Sequence, residues 1–145
     1  VTVDNNEYTI ADSALPNTFQ IQNRKNSIII KWYHYAKDTS KIFTVSYKLK
    51  GALRIGPNDV QFHWTYLGKE WDVNTKKLIV KQQFEEQLPK DNVWFMATGL
   101  DQSNLKLGYK KGIIMLETAE VPFNKRIKMN TIFPIGFLTK PVFQN

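Results

Sequence analysis

The 145-residue chain reads as all-β: an antiparallel β-sandwich of two packed sheets, with immunoglobulin-like or related topology. Three observations lead there. Apolar and polar residues alternate with period two through most of the chain. Turn-forming clusters interrupt these runs every ~8–15 residues. No window of about eleven or more residues carries apolar positions at helical spacing.

The elements follow in order. Tyr8–Ala11 and Phe19–Gln22 are short opening strands. Ser27–Tyr35 is β-branched and aromatic, and its Ile28–Ile30 run predicts burial on both faces. In Lys41–Leu49, Phe43, Val45, Tyr47 and Leu49 share one face, with Thr44, Ser46 and Lys48 opposite. In Val60–Tyr66 the inner set is Val60, Phe62, Trp64 and Tyr66, and the outer set is Gln61, His63 and Thr65. Leu78–Phe84 turns Leu78, Val80, Gln82 and Phe84 one way. Val93–Ala97 is a short apolar strand. Leu105–Lys110 and Ile113–Thr118 make a hairpin around Lys-Lys-Gly. Lys125–Phe133 alternates Ile127, Met129, Thr131 and Phe133 with basic or polar neighbours. Segments such as Gly-Pro-Asn-Asp at 56–59 and Pro-Lys-Asp-Asn at 89–92 supply the turns. Val1–Asn6 and the tail after Pro141 are the ends expected to fray.

A mass of 16.9 kDa fits one domain over residues 1–145. Folding at this size buries about 70% of the unfolded chain's surface, enough for a core without staples. No apolar run approaches the ~18 residues of a membrane span. The chain opens at Val1 rather than Met, which predicts that any leader or span lies outside it. With no Cys, disulfide frameworks, zinc–thiolate centres and thiol nucleophiles are excluded. The net charge is +7, and the stretch after Asp72 holds eleven of the basic residues against six acidic ones. Such an excess favours anionic partners. Only Arg24, Arg54 and Arg126 are arginines among the twenty basic residues, so no nucleic-acid partner is expected.

Chemistry-bearing constellations are sparse. His34 and His63 each sit inside a strand, without the spacing of a metal pair. No serine occupies a Gly-x-Ser-x-Gly elbow, no glycine-rich phosphate loop occurs, and no cofactor motif is present. Glu70 and Asp72 flank Trp71. In an extended strand their carboxylates would share a face, about 6.6 Å apart at the backbone. Glu70, Trp71 and Asp72 are therefore the candidate binding trio. The plainer reading is that Trp71 closes one end of the core while the carboxylates serve loop amides or lysines. Core packing is also the default for Trp32, Trp64 and Trp94. Trp64 is expected to pack on Phe43, Val45 or Tyr47, and Gly68 to supply a sharp turn before Trp71.

Tyr47, Gly51 and Ala52, then Asp59, Phe62 and Trp64, then Gly68, Glu70, Trp71 and Asp72 form a spaced series, with Phe133-Pro134 further on. This series resembles the extracytoplasmic N-terminal region of the YciQ-like family of predicted bacterial membrane proteins, a domain of unknown function. The resemblance implies a β-rich region outside the cell membrane, attached through segments beyond this chain, with an unknown protein or envelope partner. It transfers no catalytic residue. The expected function is a non-catalytic extracytoplasmic module serving interaction, envelope assembly or sensing. A second expectation is a binding module for an anionic wall polymer, lipid headgroup or glycan. It needs Lys76, Lys77, Lys81, Lys110, Lys111, Lys125, Arg126 and Lys128 on one face. A hydrolase using Glu70 and Asp72 is the third and weakest reading.

Overall fold

A computed structural model describes residues 1–25, 27–71 and 73–138. The chain is all-β and divides into two compact units, Val1–Lys50 and Gly51–Asn145.

The first unit holds β1 (Thr2–Val3), β2 (Asn6–Glu7), β3 (Thr9–Ile10), β4 (Thr18–Arg24), β5 (Ser27–Tyr33) and β6 (Phe43–Thr44). They form two three-stranded sheets, ordered β2-β1-β6 and β3-β4-β5. β3 and β4 run parallel; the other strand pairs among the described residues are antiparallel. Phe43 joins the two small sheets, its ring 5.7 Å from Trp32 and 4.7 Å from His34. Asp4 locks the turn of the first hairpin: its carboxylate accepts from Lys41 Nζ at 2.8 Å and from the Ile42 amide at 2.9 Å.

Three expectations fail in this unit. The Lys41–Leu49 strand shrinks to Phe43–Thr44, the two residues that Thr2–Val3 pairs with; among the described residues the strand ladder goes no further. Ile28 is 62% exposed, so β5 is not buried on both faces. It is an edge strand, and a unit of this size lacks the surface to cover both its sides. Val1–Asn6 does not fray: β1 is the central strand of its sheet and Val3 is buried. The tail after Pro141 lies outside the described residues.

The second unit holds β7 (Arg54–Ile55), β8 (Asp59–Leu67), β9 (Thr75–Gln83), β10 (Trp94–Thr98), β11 (Leu105–Lys110), β12 (Ile113–Val121) and β13 (Ile127–Pro134). One sheet is ordered β10-β13-β8-β7, the other β11-β12-β9. Their inner faces pack into one core around Val60, Val80, Ile114, Leu116, Met129 and Phe133. The predicted alternation is visible here at full strength: Ile127, Met129, Thr131 and Phe133 are all buried, each followed by a half-buried residue. Burying such a large apolar side chain contributes about 1.5–3 kcal/mol. The hairpin at Lys111-Gly112 has both residues at positive φ, +50° and +80°, as a two-residue turn matched to strand twist requires.

Two contacts stitch the sheets together. Phe84, just past β9, stands edge-on to Phe62 and Phe133 at 5.7 and 5.2 Å. Gln82 is buried and reaches across the core: its Nε2 donates to Thr131 Oγ1 at 2.8 Å, and its Oε1 accepts from Tyr66 Oη at 2.7 Å. A β-bulge falls at Tyr66, where Ile127 pairs with Leu67 but Lys128 with Thr65.

Candidate functional site

Glu70 and Trp71 lie in a turn, in which the Trp71 amide donates to the Gly68 carbonyl at 3.2 Å. Glu70 is exposed. Trp71 is half-buried; its indole Nε1 donates to Thr75 Oγ1 at 3.0 Å, and its carbonyl accepts from the Asn124 amide at 2.8 Å. The indole thus pins the β8–β9 connection to the start of β9, and the Trp71 backbone ties that connection to the one between β12 and β13. Asp72 lies outside the described residues. Gly68 opens the expected turn before Trp71 without a left-handed backbone: it is absent from the positive-φ positions, and an added Cβ would meet the mobile end of Glu70 at 2.6 Å. The position that demands glycine is Gly99, at φ +93°, where an added Cβ would collide with the Arg126 carbonyl oxygen.

Trp64 is half-buried and stacks on Phe62, with ring centroids 6.1 Å apart. In the sheet it lies opposite Met129 of β13. His63 stands exposed on the outer side of β8, while His34 belongs to the first unit. Among the described residues, no cluster of three or more His, Cys, Asp or Glu side chains is arranged to hold a metal ion.

Trp94 corrects the default of core packing. It is 56% exposed, as is Met96 two residues on. Register explains the reversal. Phe95 and Ala97 pair with Thr131 and Met129, whose side chains point into the core. Trp94 and Met96 pair with Ile132 and Asn130 and therefore face outward with them. Continuing across the sheet, Ile132 pairs with Gln61, and Gln61 with Arg54. Exposed Trp94 and Met96 and half-buried Ile132 thus border amide and guanidinium groups on one face.

The eight basic residues singled out by sequence do not gather on one face. Lys77, Lys81 and Lys110 stand on the outer side of the β11-β12-β9 sheet, and Lys128 on the outer side of the other. Lys125 and Arg126 occupy the loop before β13. Period-two phasing assigns each lysine a side within its strand, but not which sheet that strand joins. A shallow open cleft of about 360 Å³ lies between the 87–90 loop and the β11–β12 turn. Its charged groups, among the described residues, are Lys90 and Lys111, and the Tyr109 hydroxyl donates to the Leu88 carbonyl at its wall.

No curated protein and no solved structure matches the chain. The family model described as the N-terminal domain of a predicted membrane protein, DUF2207, matches residues 2–133. No helix among the described residues is long and apolar enough to cross a membrane. The match agrees with the resemblance carried by the Tyr47–Asp72 series and spans both compact units. The chain belongs to this family of predicted membrane proteins, as its N-terminal domain of unknown function.

Proposed function

We propose that the chain is a non-catalytic, extracytoplasmic interaction module of its membrane protein, and that the outer face of the β10-β13-β8-β7 sheet receives a protein partner. The carrying observation is the exposure of Trp94 and Met96 beside Ile132 on the outer face of this sheet. A Trp side chain buries about 150–250 Å² on docking. Trp, Met and Arg are the residue types enriched at protein interfaces, and Arg54 lies in the same cross-strand row as Trp94. An indole, a thioether and an aliphatic chain offer area to bury and no proton to transfer, which supports binding over catalysis. The extracytoplasmic side rests on the resemblance of the Tyr47–Asp72 series.

The test uses the intact membrane protein in cells. A photoreactive residue at Met96 should crosslink a discrete partner, and Trp94→Ala should abolish that crosslink while leaving the fold intact. A photoreactive residue at Ile79, on the opposite sheet, should not give the same product. Identical crosslinks from both positions, or a crosslink indifferent to Trp94→Ala, would overturn the reading. A topology reporter fused after Phe137 that is active in the cytoplasm would overturn the placement.

A further inference from the structure

The outer face of the β11-β12-β9 sheet follows another plan. Lys77 and Lys81 stand on β9, and Lys106 and Lys110 on β11; all four are exposed. Register puts them on one side. Met115 lies opposite both Lys81 and Gly108, and Glu117 opposite both Ile79 and Lys106, whereas the alternate residues Val80, Ile114 and Leu116 are buried in the core. Ile79, within the β9 row, and Met115, between the two rows, are 49% and 40% exposed. The rows are two strand spacings apart, about 10 Å, and the lysines within a row about 13 Å apart. Glu117 is committed to Lys77 at 2.8 Å. Lys81, Lys106 and Lys110 therefore carry the net charge of the face.

We propose that this face rests on an anionic phospholipid bilayer surface. Charge complementarity is the first argument: the lysines outnumber the single carboxylate of Glu117 on this face and flank a small apolar centre. Lysine stems lie along apolar surface while their heads reach outward, which suits a headgroup layer. Lysine is depleted at protein–protein interfaces, so the composition of this face differs in kind from the Trp94 face. The chain also belongs to a membrane-protein family, so a bilayer is within tethered reach and a weak affinity suffices. Each cation at such a surface strengthens partitioning roughly fivefold, and three give on the order of a hundredfold. The inference is independent of the Trp94 partner, which would dock on the opposite side of the same sandwich.

Edge-strand lysines also block edge-to-edge sheet pairing, and the experiment separates the two roles. The 145-residue chain is co-sedimented with phosphatidylcholine vesicles, with and without phosphatidylglycerol, at about 0.05 M and about 0.5 M salt. Binding should favour the anionic vesicles on the order of a hundredfold at low salt and fall as salt rises. The triple variant Lys81→Gln, Lys106→Gln, Lys110→Gln should lose most of that preference at unchanged melting temperature. Should the triple variant misfold, each single variant should still lose roughly fivefold. The pair Arg54→Gln, Lys128→Gln on the other face should change little. Equal binding to both vesicle types, equal losses in both variant sets, or a triple variant that self-associates yet binds vesicles as before would overturn the proposal. Binding to soluble polyphosphate without binding to anionic vesicles would overturn it in favour of a polymer ligand.

Discussion

Replacing Gln82 by Leu is the sharpest probe of the second unit's core. Leucine has similar bulk, so the change leaves little cavity and isolates the polar term. The native amide donates to Thr131 Oγ1 at 2.8 Å and accepts from Tyr66 Oη at 2.7 Å. Removing it deletes two hydrogen bonds, each contributing about 0.5–1.5 kcal/mol net. Thr131 is fully buried and would keep a hydroxyl with its cross-sheet partner gone, at a cost of about 1–3 kcal/mol. Tyr66 is half-buried, and its phenol can turn toward water. The added apolar burial offsets about 1 kcal/mol. The expected net loss is about 2–3 kcal/mol, read as a lower urea midpoint by about 1–2 M. The double variant Gln82→Leu, Thr131→Val should recover part of that loss, because both partners become apolar together. A single variant as stable as wild type, or a double variant whose losses simply add, would refute the claim that this network spans the core as a unit.

Other outcomes follow from the same geometry. Gly99→Ala should destabilise the second unit by about 3 kcal/mol or more, since both φ and the Arg126 carbonyl oppose a Cβ, whereas Gly68→Ala should cost under about 1 kcal/mol; thermal melts of the pair check the contrast. Trp64→Ala should cost about 2–3 kcal/mol and Trp71→Ala about 1–2 kcal/mol, while Trp94→Ala stays within about 0.5 kcal/mol, by chemical denaturation. In the first unit, the hydrogen bond from Lys41, aided by the Ile42 amide, holds the Asp4 carboxyl below its ordinary 3.8. Its contribution is therefore complete above 3.8 and is lost as pH falls through the lower folded value. The Ile42 amide resonance should titrate with a midpoint below 3.8, and a midpoint at or above that value would contradict the arrangement.

Long alternating segments were legible because their periodicity answers to a buried face whatever the partner. Val60–Tyr66, Leu78–Phe84 and Lys125–Phe133 keep their inner sets in the structure, and the Lys-Lys-Gly hairpin forms where the turn chemistry places it. The membrane-protein family was legible in the spaced glycines, aromatics and carboxylates of the Tyr47–Asp72 series.

Trp94 was not legible. Trp94-Phe95-Met96-Ala97 is apolar throughout, so no polar alternate phases it, and either side can face inward. Pairing with Thr131 and Met129 made the choice, and with it exposed the indole. The same limit governs the Lys41–Leu49 run, whose alternation is real but whose ladder ends where Thr2–Val3 ends. The sequence by itself determined the strand rhythm, the inner face of each long strand and the family. The tertiary structure alone decided which strands became neighbours, that Gln82 finds Thr131 and Tyr66 across the core, and that lysines scattered along β9 and β11 share one face. The reason is physical: side-chain direction is a local property with a period of two, whereas pairing between strands distant in sequence is settled by whichever arrangement buries the most apolar surface and leaves the fewest polar groups unpartnered.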